Sequence, residues 1–292
     1  MQACRQALSN GRWHFQHGPI DIVLQLDGDS NACEHALQTA WQRFETILPE
    51  LVRELPALRR PVAALQTHRF ESVVARRMHQ AASELAWASA DEFITPMAAV
   101  AGSVAQEVLQ ALALPGVDRA YVNNGGDIAL HLQRGEWRIG VVSQLAQALA
   151  TDAASALVTD DQFVISAAMP VRGVATSGWG GRSFSFGVAD SVTVLADTAA
   201  LADVAATLIA NAVTIQHPGI QRRPANSLRD DTDLGERMVT VDVPSLPPPL
   251  IQEALQLGLD CARGLQARGQ LHAAYLCCQG QVAVTPVLEC LV

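Results

Sequence analysis

The chain has 292 residues, 49% hydrophobic and 17% charged, enough apolar material for a large core and too much for a disordered chain. A net charge of −9 argues against a nucleic-acid-binding surface. There is no lysine, which excludes Schiff-base chemistry and a Walker A loop and leaves Arg to capture carboxylate or phosphate.

In chain order, WHFQHGPIDIVLQLDGD (13–29) reads as one or two strands closed at Asp27-Gly28-Asp29. Residues 32–54 carry helical spacing, and Pro49 is expected to end or kink that helix. A second helical stretch covers about 71–90, and a small-residue helix 93–114. RAYVNNGGDIALHL (119–132) alternates around a hairpin signal, and EWRIGVVS (136–143) continues the sheet. Residues 144–162 are Ala-rich with no clear period.

QFVISAAMPVRGVATSG (162–178) supplies strands, and TSGWGGRSFSFGVADSVTV (176–194) is a glycine- and hydroxyl-rich loop running into a β-branched strand. A helix follows over about 198–213, then a polar loop over 216–237. MVTVDV (238–243) is a strand and PSLPPPL (244–250) a rigid connector. A helix over about 250–268 and a last strand, LHAAYLCCQG (271–280), complete the pattern. Helices and strands mix without strict βαβ alternation, so the expected class is α+β, with mixed or antiparallel sheets and packed helices in a single domain over 1–292.

The six cysteines form no CxxC pair, the N-terminus shows no apolar leader segment, and no apolar run reaches the roughly 18 residues of a membrane span. The expectation is a cytoplasmic protein with reduced, mostly buried thiols and no membrane or nucleic-acid partner; small-residue helices suggest a homodimer. His14 and His17 are spaced i, i+3 on a strand, point to opposite faces, and read as structural.

In the 198–213 helix, Leu201, Val204, Leu208 and Ala212 form a core stripe. Asp203, Thr207 and Asn211 line up on another, ringed by alanines. A carboxylate and a hydroxyl one turn apart can hold a hard cation such as Mg2+, or can simply form a mildly polar face under a loop. Thr176, Ser177, Gly178, Gly180, Gly181 and Arg182, with Arg172 just before them, can cradle an anion or form a plain glycine-rich hairpin. Asn124, Gly125, Gly126 and Asp127 can likewise be only a turn.

VNNGGD, VATSG, ADSVTV and ADVAAT, in that order, resemble the ApbE superfamily of flavin transferases, which use Mg2+ and FAD to attach FMN to a protein threonine or serine. The resemblance implies that Asn124, Gly125, Gly126 and Asp127 lie beside a flavin nucleotide and that Thr176, Ser177 and Gly178 form the Thr-Ser-Gly turn. It assigns the metal to Asp203 and Thr207. WGGRSFSFGVAD (179–190) stands where the transferases carry a segment with His, Asp-Pro and Thr-Gly, so the histidine that serves the FAD pyrophosphate and the transfer is missing. HFQHGPIDIVL, TPMAAVAG, GRSFSFGVADSVTV, ADVAATLIAN and DTDLGERMVTVDV are similar to a separate, uncharacterised ApbE-like family of archaea and bacteria over about 12–280.

These resemblances imply a phosphorylated or otherwise anionic heterocyclic ligand, flavin-like (FAD or FMN), held with Mg2+. The expected ligand-binding residues are Asn124, Gly125, Gly126, Asp127, Thr176, Ser177, Gly178, Gly181, Arg182 and Ser183. An enzyme of this kind would carry out Mg-dependent transfer or hydrolysis, with FMN transfer to protein not expected. The alternatives are a non-catalytic flavin or cofactor carrier, and an enzyme of heterocycle catabolism or one-carbon cofactor biosynthesis.

Overall fold

The computed structural model describes residues 2–86, 93–141 and 161–286. The Ala-rich stretch read at 144–162 lies almost wholly outside them, as does the end of the helix expected to about 90. Among the described residues, β1 (Cys4–Ala7), β2 (Arg12–His17) and β3 (Ile20–Gly28) precede α1 (Ser30–Leu58), α2 (Val73–Ala86) and α3 (Val100–Leu112). Then come β4 (Val117–Asn124), β5 (Asp127–Leu132), β6 (Glu136–Val141), β7 (Asp161–Ser166) and β8 (Gly173–Ser177). β9 (Ser191–Ala196), α4 (Ala199–Ala212), β10 (Gln221–Pro224), β11 (Met238–Asp242), α5 (Pro248–Ala267), β12 (Ala273–Cys278) and β13 (Gln281–Val284) follow. The class is α+β, with antiparallel pairing throughout the strands whose register is defined.

Two compact units emerge. The first comprises the described parts of Met1–Glu136, Ser166–Ala175 and Ala196–Val204; the second those of Trp137–Ile165, Thr176–Leu195 and Ala205–Val292.

In the first unit β1 to β5 run as an antiparallel meander, and β8 adds to β5 through Ile128↔Val174 and Ala129↔Gly173. In the first half of β3 the alternate residues Ile20, Ile22 and Leu24 are buried, the two-residue period of a one-sided sheet. α1 buries Ala36, Ala40, Phe44, Ile47 and Leu51, a stripe at three- and four-residue steps. Phe15 of β2 meets Trp41 edge-on at 5.0 Å and Phe44 at 5.4 Å. Pro49 does not end α1, which runs on to Leu58. Pro49 sits on the exposed side, where water can take the carbonyl it leaves unbonded, while Ile47, Leu51 and Leu58 keep the buried face continuous.

The helix read at 93–114 also begins later than its composition implies. Thr95 Oγ1 accepts the Met97 N–H at 3.2 Å and starts a 3-10 turn over Pro96–Ala99; α3 proper begins at Val100. A polar network ties the three helices together. Arg43 bonds Glu50 on its own helix at 2.6 Å and Glu107 of α3 at 2.7 Å, and Arg77 of α2 bonds Glu107 at 2.8 Å.

In the second unit β12 pairs with β9 and with β13, and α5 buries Ile251, Ala254, Leu255, Leu259, Ala262 and Leu265. The final strand read at 271–280 is therefore one arm of a hairpin, turned at Gln279 (φ +46°) and Gly280 (φ +78°). The polar stretch 216–237 is not all loop, since β10 lies in it and pairs with β11. The thiols are less hidden than expected. Of the five described cysteines only Cys277 and Cys278 are buried, Cys33 and Cys261 are half-buried and Cys4 is exposed. No helix among the described residues is long and apolar enough to cross a membrane.

Candidate functional site

The β4–β5 hairpin pairs Asn124 with Asp127 and leaves Gly125 and Gly126 as its two-residue turn, with φ +69° and +114°. Positive φ at both positions is what a turn matching strand twist demands, and explains why both are glycine. Asn123 Oδ1 accepts the Gly126 N–H at 2.8 Å. Asn124, buried, donates from Nδ2 to the Ala101 carbonyl at 3.1 Å, pinning the tip to the start of α3.

That start is also where Asp203 points. The Gly102 N–H donates to Asp203 Oδ2 at 2.9 Å, and the Ala101 N–H donates to the same carboxylate. α3 has no capping side chain at Ala99, so Asp203 supplies from α4 the acceptor that the orphan first-turn donors need. The close approach depends on Gly102. A Cβ there would stand 2.2 Å from the Ala199 carbonyl oxygen and 3.0 Å from Asp203 Cβ.

Burial pushes the Asp203 carboxyl well above the usual carboxylate range, the negative charge of Asp127 pushes it further, and the two backbone donors oppose both. Thr207 follows Asp203 by one turn of α4, and both are half-buried. The core stripe holds at Val204 and Leu208, while Leu201 and Ala212 are half-buried; Ala202, Ala205, Ala206, Ile209 and Ala210 are buried too, so α4 is enclosed on more than one face. Among the described residues no three His, Cys, Asp or Glu side chains gather as a metal site. A cation at Asp203 would therefore complete its shell with hydroxyl, carbonyl or water oxygens, as hard cations such as Mg2+ do.

In the second unit the 176–187 loop is fastened at both ends. Thr176 and Thr193 share a hydroxyl hydrogen bond of 2.9 Å. Gly178 lies against the Asp190 carbonyl, where a Cβ would come within 2.3 Å of the oxygen. The Trp179 N–H donates to Ala189 O at 3.0 Å, and its indole N–H to Asp190 Oδ1 at 3.2 Å. The far end hangs on Asn211, whose Oδ1 accepts the Phe186 N–H at 2.9 Å and the Ser185 hydroxyl at 3.0 Å. The Thr240 N–H adds a bond to Ser185 O at 2.9 Å.

Between the fastened ends, Gly181 donates its N–H to Gly178 O at 3.2 Å, and Arg182 and Ser183 are exposed. Arg229 stacks over the Phe184 ring at 5.0 Å. Arg172 is not available to an anion. Its guanidinium donates to the carbonyls of Met169, Val171, Ala167 and Leu132.

The structure thus brings Asn124–Asp127 together with Asp203, and separately builds Thr176–Ser183 into a loop clasped by Asp190 and Asn211. The sequence reading missed Asp190, although a lone acid opening a β-branched strand after a glycine-rich loop was a usable signal. It also missed the role of Ala101 and Gly102, visible only as small residues in TPMAAVAG.

A family model described as "AbpE bacteria" matches residues 5–284. The chain belongs to this family. It is similar to the UPF0280 protein of Methanococcoides burtonii, 36% identical over 129 residues that make up 44% of this chain and 50% of the relative. The UPF0280 protein of Methanothermobacter thermautotrophicus is 41% identical over 119 residues, 40% of this chain and 42% of the relative. The chain spans about half the length of the curated relatives it matches. Among solved structures it is similar to a His-to-Gly mutant of the flavin transferase ApbE from Vibrio cholerae, with TM-score 0.53, 13% identity and 99% of each chain covered. Against the non-mutant flavin transferase ApbE from Vibrio cholerae the TM-score is 0.50, at 13% identity, covering 99% of this chain and 100% of that one. At such identity the likeness bears on the fold, and it agrees with an ApbE-like α+β architecture.

Proposed function

We propose that this ApbE-like protein binds an anionic, flavin-like heterocyclic ligand together with Mg2+. The observation that carries the reading is the corner where Asp203, held by main-chain donors at the start of α3, lies within the field of Asp127 at the Gly-Gly turn. Two carboxylates set against each other, one with an oxygen not spent on Gly102, fit a hard divalent cation. Asp203 would hold it with Asp127 and the Thr207 hydroxyl, and bound Mg2+ supplies charge neutralisation and Lewis acidity toward an anionic oxygen. Asn124 keeps the turn seated on α3. Within the second unit, Thr176, Ser177, Gly178, Gly181, Arg182 and Ser183 carry hydroxyl, backbone and guanidinium donors of the kind that suit an anion.

A second reading, a carrier that binds without transferring, is favoured by one observation. From Thr176 to Ala189 the chain has no His, Asp, Glu, Cys or Tyr, so the replaced segment offers no general acid or base. The exposed thiol of Cys4 and the lack of disulfides among the described cysteines fit a reducing compartment such as the cytoplasm. Homodimerisation completes the proposal, to be read by sedimentation.

Native mass spectrometry of freshly purified protein is expected to show a retained ligand of flavin mass. Calorimetry is expected to show Mg2+ binding that disappears in Asp203→Asn, a change that keeps an acceptor for the Gly102 N–H. Unaltered Mg2+ binding in that variant removes the metal assignment.

A further inference from the structure

Trp179 stands out in the second unit. It is half-buried, and its neighbours in sequence, Gly178, Gly180 and Gly181, carry no side chains. Its orientation is nevertheless fixed. The indole N–H is accepted by Asp190 Oδ1 at 3.2 Å, and the backbone N–H by Ala189 O at 3.0 Å. Asp190 is in turn held from the opposite side by the Gln279 N–H at 2.5 Å, from a turn whose non-glycine residue sits at φ +46°. The Gln279 side chain locks that turn by accepting the Leu246 N–H at 2.9 Å and donating to Pro244 O at 2.7 Å.

The only polar atom of the indole is thus satisfied, and its rotamer is set by a chain of bonds reaching into the β12–β13 hairpin. Among the described residues no other ring and no cation lies on its face. A partly exposed aromatic ring, immobilised in advance and without a ring or cation partner among the described residues, is suited to stacking on a planar ligand. Three residues on, Arg182 is exposed and has no acceptor among the described residues. A planar ring at Trp179 with an anionic arm at Arg182 is the ligand these positions suit.

We propose that Trp179 is the stacking surface for the heterocycle of the anionic ligand, and that Asp190 is the positioning residue that holds the indole in place. This rests on the flavin-like reading above and adds to it which side chain meets the ring. Stacking on an aromatic side chain is worth between about 5-fold and 150-fold in affinity when the ring is removed.

The test uses the full chain and FMN as the probe, followed by calorimetry and by flavin fluorescence. Wild-type protein is expected to quench flavin emission on binding, because indole is a good electron donor at stacking distance. Trp179→Ala is expected to weaken FMN by about 5-fold to 150-fold. Trp179→Phe keeps a ring and is expected to hold affinity within about 10-fold while losing the quenching. That variant decides the matter if the alanine form does not fold, since loss of a merely structural indole would not separate quenching from affinity. Asp190→Ala is expected to weaken FMN by less than Trp179→Ala, and Asp190→Asn, which retains an acceptor oxygen, to recover most of the loss. Unchanged affinity and quenching in both Trp179 variants overturns this inference alone. A wild-type protein that ignores FMN overturns the flavin reading beneath it.

Discussion

Gly102→Ala sets two effects of opposite sign against each other. In a helix interior, replacing glycine by alanine ordinarily stabilises by about 1 kcal/mol, because alanine has less backbone freedom to lose. At Gly102 the new methyl would lie 2.2 Å from the Ala199 carbonyl oxygen and 2.6 Å from its carbon, both backbone atoms that no rotamer change can move. α3 must retreat from α4 by about 1 Å, an overpacking that costs about 1–3 kcal/mol. The Gly102–Asp203 hydrogen bond, 2.9 Å as it stands, then lengthens beyond use. A buried donor left without its acceptor costs about 1–3 kcal/mol.

The clash and the lost bond outweigh the propensity gain, and the net is a destabilisation of about 1–5 kcal/mol. Melting followed by circular dichroism is expected to show a midpoint lower by about 2–8 °C. Gly264→Ala on α5 is the matched control. Its Cβ would approach nothing closer than the Arg268 guanidinium at 3.9 Å, so only the propensity term operates and the protein should gain up to about 1 kcal/mol. A Gly102→Ala protein as stable as the parent would refute the backbone-to-backbone packing of α3 on α4.

The raised carboxyl of Asp203 makes a statement about pH. Folded protein keeps that proton when unfolded chain has released it, so stability falls as pH rises from 3.8, the ordinary carboxylate value, toward the raised one. Urea unfolding between pH 4 and 8 should show a shallower decline in Asp203→Asn than in the parent, and Mg2+ should flatten the parent's curve by binding the ionised form; equal slopes would contradict the burial of this group. Arg43→Ala leaves Glu107, whose side chain is only 10% exposed, with one of its two guanidinium partners, and strips Glu50 of its own. The expected loss is about 2–3 kcal/mol by chemical denaturation. Arg43 holds the Glu50 carboxyl below 4.5, so that pair's contribution is present above this pH and is lost as pH falls through the lowered value. The difference between parent and variant should therefore shrink in acid.

Much of this was legible before any coordinates. The Gly-Gly hairpin announced itself because turn chemistry is local, and α4 because its apolar and small polar residues separate at helical spacing. β1 was illegible because all four of its residues are exposed and carry no alternation. β13 escaped because it is short and none of its residues is buried. Pro49 misled because the rule against proline in helices assumes a carbonyl with nowhere to turn, whereas here it faces water. Asp203 was picked out for its spacing to Thr207, but its engagement with the Gly102 N–H, 101 residues away, leaves no trace in spacing. Asp190 and the Gln279 N–H, 89 residues apart, are hidden for the same reason.

Asn124, Asp203, Asn211 and Arg172 all spend side-chain groups on main-chain atoms. Replacing their partners one by one with alanine would leave those partners' amides and carbonyls where they are. A mutational scan would therefore record one half of each contact and report the other half as tolerant, except at Gly102, where the signal would be mistaken for a steric defect. Mapping this protein's working parts calls for chemistry that edits the backbone itself, such as ester-for-amide replacement at Gly102, which deletes the donor and leaves the shape.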